Sequence, residues 1–296
     1  MSDVVIPGKR LHSVRIIKKA KAVIGQVFMY AALAFFAYVM ILPFLWMLST
    51  SLKEAQDVFK APIQWIPEPV MWSNYLDVFK VVRLDRGYMN SLSIAIPATL
   101  GTLFTCALAG YGFSKLKFKG QNYLFAALLV TMMVPGQVTL IPMYLVFKTF
   151  RWIDTYLPLI IPTIFCNAFG VFMFRQFYFS IPDSLIDAAK IDGCSPPGVF
   201  FRIIIPQSKG IFATMGLFAF MGSWNTFLGP LIYLNKPIRH TLPLMMALFR
   251  STTGQSSTQW SQLMAVSCIA VVPVLILYAA TQKYYVRSIV ITGMKN

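Results

Sequence analysis

Residues 180–206 read SIPDSLIDAAKIDGCSPPGVFFRIIIP, a stretch too polar for lipid, set among segments that are apolar almost throughout. Its punctuation predicts two short helices laid end to end. Ser180 is placed to cap the first, Pro182 suits its opening turn, and Asp183 stands three residues after the cap, approximating a capping box. Gly193 closes that helix and Ser195 with Pro196 starts the next, which is expected to stop before Pro206 because the residue preceding a proline disfavours helical angles. Ala188 and Ala189 carry almost no side chain, so another protein could come close to the backbone there. Two readings fit: a docking element, or an ordinary amphipathic loop covering the inner ends of membrane helices.

The flanks decide the fold class. Of 296 residues, 57% are hydrophobic and only 12% charged, far from the balance of a soluble domain. Six apolar stretches reach the ~20 residues that a membrane-crossing helix needs: 23–48, 90–112, 123–147, 158–178, 211–234 and 262–282. The chain is therefore read as an all-α polytopic membrane protein, with a basic tail over 1–22, a six-span region over 23–282 and a second tail over 283–296. The first apolar run is too long for a cleaved signal peptide and no small-residue cleavage site follows it, so it is read as a retained span.

Orientation follows from the lysines and arginines. Lys9, Arg10, Arg15, Lys18, Lys19 and Lys21 precede the first span, Lys115, Lys117 and Lys119 follow the second, and Lys283, Arg287 and Lys295 follow the last. Both termini are thus expected in the cytoplasm. The net charge of +16 is explained mostly by topology and anionic lipid, not by nucleic acid. Cys106, Cys166, Cys194 and Cys268 give neither metal-ligand spacing nor a disulfide framework.

Several span residues admit two roles. The third span is interrupted at Pro135-Gly136 and again at Pro142, which fits either a pathway element or a proline kink resealed by neighbouring helices. Small residues from Ala107 to Gly112 suit close helix packing. Asn167 sits near the middle of the fourth span, and Arg175, close to its inner end, reads as a snorkelling side chain. In the fifth span Trp224 and Asn225 lie in a glycine-loosened segment, where the amide needs a neighbouring helix or a passing solute as partner. The outer loop 51–87 reads as a packed cap, and the loop 235–261 holds Lys236, Arg239 and Arg250 with no acid: a solvated loop, a docking surface or a lure for an anionic solute.

Absences narrow the mechanism. No Asp or Glu occurs in any of the six stretches, which disfavours a proton-coupled carrier. No G-x-x-x-x-G-K-[ST] loop is present, and His12 and His240 fall in different compartments, so neither nucleotide binding nor catalysis is expected of this chain.

The spacing Asp187-Ala188-Ala189, Gly193 four residues on, then Ile203-Ile204-Ile205-Pro206, resembles the EAA signature of bacterial ABC importer permeases, with Asp187 where that family usually has Glu. The stretch 43–53, Asn74-Tyr75, Asn90-Ser91-Leu92, Trp224-Asn225 with Pro230-Leu231, and Thr241-Leu242-Pro243 are similar to positions recurrent in carbohydrate-uptake permeases of the maltose-transporter type, specifically the shorter six-span partner. The resemblance implies a heterodimer with a second permease, two ATPase subunits holding ATP and Mg, and an extracytoplasmic solute-binding protein. It assigns Asp187, Ala188, Ala189, Gly193 and Pro206 to ATPase docking. Asn167, Trp224 and Asn225 are candidates for the substrate path, since amides and indoles suit sugar hydroxyls and ring faces. The tail 292–296 departs from the family's glycine-rich ending. An acidic oligosaccharide such as a uronate is one candidate solute, given the acid-free outer loop. A peptide or amino-acid importer, or an autonomous carrier or channel, is the alternative.

Overall fold

The computed structural model describes residues 8–165, 167–252 and 257–293. Expectations resting on Cys166, on residues 294–296 and on the side chains of residues 9–19 and 287 lie outside the described part. Helices dominate: α1 (Gly8–Ser51), α2 (Ser73–Val82), α3 (Leu84–Lys115), α4 (Gln121–Thr131), α5 (Gly136–Thr149), α6 (Leu157–Phe165), α7 (Ala168–Phe179), α8 (Asp183–Ile191), α9 (Pro196–Val199), a π-helical turn at Phe200–Ile204, α10 (Ile205–Gln207), α11 (Lys209–Trp224), α12 (Leu228–Tyr233), α13 (Leu242–Thr252) and α14 (Ser257–Gly293).

Among the described residues, four helical stretches are long and apolar enough to cross a bilayer: Val23–Ser51, Leu84–Lys115, Leu157–Phe179 and Trp260–Tyr284. Two bent pairs, Gln121–Thr131 with Gly136–Thr149 and Pro196–Gln207 with Lys209–Trp224, bring the number to six when each counts as one crossing. The third stretch therefore breaks where Pro135 and Gly136 predicted, with a bend of 96°. The fifth is less regular than its apolar run suggested. α11 has 16 residues, about 24 Å of helix against a hydrocarbon core of ~30 Å, and only the irregular turn at 225–227 and α12 complete the distance. The fourth also departs from the expected continuous helix: α6 ends at Phe165 and a new helix is capped at Asn167.

α3 is the hub, packing against α6, α7 and α11. Its small residues permit this. A Cβ at Gly110 would lie 2.7 Å from Phe174 Cβ and 3.0 Å from the Arg175 nitrogen, so the backbones of α3 and α7 meet where only glycine fits. At the end nearest α8, Tyr111, Phe174, Tyr178, Ile186, Ala189, Phe200 and Ile204 share one buried cluster. At the far end, Trp224 packs with Val78, Leu84, Phe220 and Leu242.

The far end is stapled by the polar residues that recur in the resemblance. Asn74 Nδ2 donates to the carbonyls of Ser51 and Lys53 at 2.9 and 3.0 Å, and Ser51 Oγ lies 2.8 Å from the Tyr75 hydroxyl. Lys53 is buried with its ammonium 4.5 Å from the centre of the Trp46 ring; burial lowers its pKa, opposed by the charge of Asp57. Asn90 Nδ2 donates to the carbonyls of Ile238 and His240, and Ser91 Oγ accepts from the Leu242 nitrogen at 2.8 Å.

Asp154 forms a further staple. Its Oδ1 accepts from the backbone nitrogens of Asn235 and Lys236, and its Oδ2 lies 3.3 Å from Arg239 Nη1 and 3.7 Å from Lys236 Nζ. Burial alone would raise its pKa, but the Lys236 N–H, the Arg239 charge and the Asn235 N–H outweigh it and hold the carboxyl below the usual range. A carboxylate with a depressed folded pKa stabilises fully above its unfolded value of ~3.9, and that contribution is lost as pH falls through the folded value. We therefore expect the melting temperature of the wild type to exceed that of Asp154→Asn by a constant margin from pH 8 to about pH 5, the margin shrinking below the unfolded value. A margin independent of pH down to full carboxyl protonation would contradict this assignment.

Candidate docking loop and central cavity

α8 begins at Pro182, whose extended backbone (φ −61°, ψ 135°) feeds directly into Asp183. Ser180 is not its cap, contrary to the expectation from sequence. Its hydroxyl donates to the Phe177 carbonyl at 2.7 Å and belongs to the end of α7. What anchors the start of α8 is Lys115 at the end of α3, whose nearly buried ammonium donates to the Ile181 carbonyl at 2.7 Å and to Asp183 Oδ1 at 2.6 Å. That hydrogen bond, followed by the Lys115 charge, keeps the Asp183 carboxyl below its usual range. Asp183 in the first turn and Lys190 in the last both oppose the helix dipole favourably.

Gly193 ends α8 as predicted. Its φ is +82°, the Gly193 nitrogen donates to Lys190 O at 3.0 Å, and the Cys194 nitrogen donates to Ala189 O at 2.9 Å. These two bonds make a Schellman motif, which needs a left-handed residue at the glycine. Ser195 then caps α9, its Oγ accepting from the Gly198 nitrogen. The helix does not stop before Pro206. It passes through a π turn in which the Ile205 N–H reaches Phe200 O, and Pro206 sits in the opening turn of α10. The wider π ring accommodates a residue that can neither donate nor sit under an α-helical carbonyl. The axis turns only at Ser208, by 81°, where Ser208 Oγ donates to Ile204 O.

The two predicted alanines divide. Ala188 is exposed, whereas Ala189 is buried with Ile186 in the loop-end cluster, so close approach is available at Ala188 alone. Asp187 is exposed and pairs with Lys190 at 3.1 Å, a surface pair worth ~1 kcal/mol at most. Leu185 and Ile191, which the sequence reading passed over, flank Ala188 on the outward face; Ile191 is 87% exposed. Their signal was present in the spacing 185, 188, 191, three residues apart on one helical face. α9 is tied to the bundle by the Tyr111 hydroxyl, which donates to Pro196 O at 3.2 Å.

A cavity of about 540 Å³ lies among α3, α6, α7, α11 and α12, and all of its lining residues are uncharged. Of the three path candidates only Asn167 lines it, and its Oδ1 is partly engaged in accepting from the Gly170 nitrogen at 2.7 Å. Trp224 is instead a packing residue: it is buried, stacks on Phe220, meets Tyr88 edge-on, and donates Nε1–H to Ala270 O at 3.1 Å, joining α11 to α14. Asn225 is exposed at the end of α11, and its side chain makes no hydrogen bond among the described residues. Ser223 and Thr226 line the cavity in their place, and Ser223 Oγ is buried without a partner among the described residues. The sequence held these residues in the same segment but not which of them turn toward α3. The break after α4 contributes as well, since Thr131 and Met132 share a second cavity of about 420 Å³ with Thr163 and Asn167.

Residues 101–291 match the family described as the binding-protein-dependent transport system inner membrane component. The chain belongs to that family. The permease is 33% identical over 257 residues to the arabinooligosaccharides transport system permease protein AraQ of Bacillus subtilis, covering 86% of the permease and 90% of that protein. It is 30% identical to the sn-glycerol-3-phosphate transport system permease protein UgpE of Pectobacterium atrosepticum, over 79% of the permease and 85% of UgpE. In fold it matches a chain of a bacterial ABC transporter involved in the import of the acidic polysaccharide alginate, with a TM-score of 0.76 at 21% identity, covering 96% of the permease and 100% of that chain. The permease is thus a multi-pass inner-membrane subunit of a binding-protein-dependent transport system.

Proposed function

We propose that the permease is one half of a two-permease sugar or oligosaccharide importer, driven by two copies of a separate ATPase, one of which docks on α8, and supplied by an extracytoplasmic solute-binding protein. The observation that carries this reading is the docking helix: Leu185, Ala188 and Ile191 face outward from a helix that Lys115, the Gly193 motif and the buried Ile186 and Ala189 hold fixed from beneath. In this reading Asp187 and Gly193 belong to the docking surface, Pro206 shapes the arm behind it, and the ATPase holds ATP and Mg. Both termini and α8 lie on the cytoplasmic side, as the basic residues at that end support. The permease itself performs no chemistry.

A carbohydrate as solute is supported by the arabinooligosaccharide relative and by the cavity, where Thr102, Thr163, Asn167, Ser223 and Thr226 offer hydroxyls and an amide without charge. The same lining favours a neutral sugar over an acidic one. So does the engagement of Lys236 and Arg239 by Asp154, which leaves Arg250 as the remaining cation of the outer loop that first suggested an anionic solute.

The test is to purify the tagged permease in mild detergent from its own host, identify its companions by mass spectrometry, and assay the reconstituted assembly for ATP-driven uptake of neutral and acidic oligosaccharides. We expect an ATPase and a second permease to co-purify, and a neutral sugar to be moved. Recovery of the permease alone, moving solute without ATP, would establish an autonomous carrier instead.

A further inference from the structure

Between the ends of α3 and α7, the start of α4 and the flank of α8 lies a cavity of about 360 Å³ lined by Lys115, Lys117, Arg175 and Lys190, against Asp183 and Asp187. Both carboxylates are already matched, Asp183 by Lys115 and Asp187 by Lys190. The surplus is Lys117 and Arg175. Lys117 makes no hydrogen bond or ion pair among the described residues and acts on Asp183 only through its charge. Arg175 does not simply snorkel. Its Nε donates to Phe113 O at 3.0 Å, and its guanidinium carbon lies 3.9 Å from the Phe125 ring centre and 4.6 Å from that of Phe179. The two aromatic rings fix the guanidinium plane, and its terminal N–H groups have no protein acceptor among the described residues. An oriented, unspent guanidinium beside a free ammonium is a donor set for the oxygens of a phosphate.

The depth of the cavity points to the source of that phosphate. Arg175 is one helical turn inside the end of the Leu157–Phe179 stretch, and the end of a membrane-crossing helix is where hydrocarbon gives way to headgroups. The adjoining turn alternates Lys115, Leu116, Lys117, Phe118 and Lys119, and Leu116 and Phe118 are exposed beside the cavity. Exposed apolar side chains interleaved with lysines suit a segment lying in the membrane surface, not one projecting into water. We propose that this cavity binds the phosphate headgroup of an anionic glycerophospholipid, placing a lipid against the flank of the docking helix. Because Lys115 belongs both to the cavity and to the ion pair that anchors the start of α8, a bound headgroup shares a partner with the docking element. The inference rests on α8 lying on the cytoplasmic side.

The purified assembly is placed in nanodiscs of phosphatidylcholine with graded phosphatidylglycerol, and retained lipid is counted by native mass spectrometry for the wild type, Lys117→Gln and Arg175→Gln. We expect phosphatidylglycerol to be retained selectively, and each variant to weaken retention about fivefold, the effect of one cation near an anionic surface. Arg175→Lys, which keeps the charge without the planar fork, gives an intermediate loss and guards against a folding defect. Equal retention in the wild type and in Lys117→Gln would overturn the proposal. Displacement of the lipid by millimolar inorganic phosphate would also overturn it, assigning the cavity to a free anion. Loss of the ATPase from Lys117→Gln with lipid retention unchanged would overturn it too, in favour of a protein carboxylate as occupant. Failure of the wild type to bring down any ATPase, with the lipid still held, would count against the docking reading alone.

Discussion

Gly193→Val is expected to reduce ATP-driven uptake by the reconstituted assembly at least about tenfold while leaving the permease inserted and folded. A Cβ at Gly193 meets nothing within 4 Å, so the substitution introduces no collision. Its whole effect passes through the backbone, because φ is +82° and a left-handed conformation costs an ordinary L-residue ~1–2 kcal/mol, more for a β-branched one. Relief of that strain opens the bonds from Gly193 to Lys190 O and from Cys194 to Ala189 O, and so changes the angle at which α8 hands over to α9. The membrane core does not include this turn. Gly193→Asn supplies the control, since asparagine tolerates the left-handed region, and it is expected to keep most of the uptake. Uptake by Gly193→Val at the wild-type rate, with both proteins present at equal amounts in the vesicles, would remove the turn from the coupling mechanism.

The largest effect on folding is expected at Gly110. Gly110→Val forces branched carbon into Phe174 and the Arg175 backbone, and neither can withdraw, since Phe174 is fully buried and the Arg175 nitrogen is part of helix α7. Overpacking of this kind costs about 3 kcal/mol, and α3 contributes to every buried cluster of the bundle. Gly112, two residues along the same helix, has nothing within 4 Å of its Cβ position. There Gly112→Ala is expected to stabilise by up to ~1 kcal/mol through helix propensity. Thermal unfolding and the yield of monodisperse protein distinguish the two, and matching behaviour of both variants would refute the close crossing of α3 and α7.

What could be read from the sequence was governed by locality. The breaks at Pro135-Gly136 and Gly193, and the cap at Ser195, depend on residues that touch their own chain neighbours, so their chemistry is visible in a single line of text. Pro206 was misread because the π turn that absorbs it is set by Phe200 and Ile204 packing into the bundle, not by the proline. Ser180 lost its expected cap because the start of α8 is held by Lys115, 68 residues away from Asp183. Trp224 and Asn225 were grouped with Asn167 on chemistry alone. The indole's partner, Ala270 O, is 46 residues distant, and no local spacing says that Ser223 and Thr226 face the cavity instead. The motif pairs Asn74-Tyr75 and Asn90-Ser91 were recognisable as a resemblance, but their role as staples emerged only when the stretches they bind, up to 151 residues apart, were brought together.

The corner at Ser208 gives the chain a bell crank. One arm, Pro196–Gln207, lies beside α8; the other, Lys209–Trp224, carries Ser223 at the wall of the central cavity. Because Ile204 and Phe200 sit in a packed cluster at the pivot, a thrust at α8, on the docking reading proposed above, would keep the angle between the arms and reach the cavity as a sideways swing. On that reading, motion produced by nucleotide on another subunit would widen or narrow the cavity without any helix of the permease melting or re-forming.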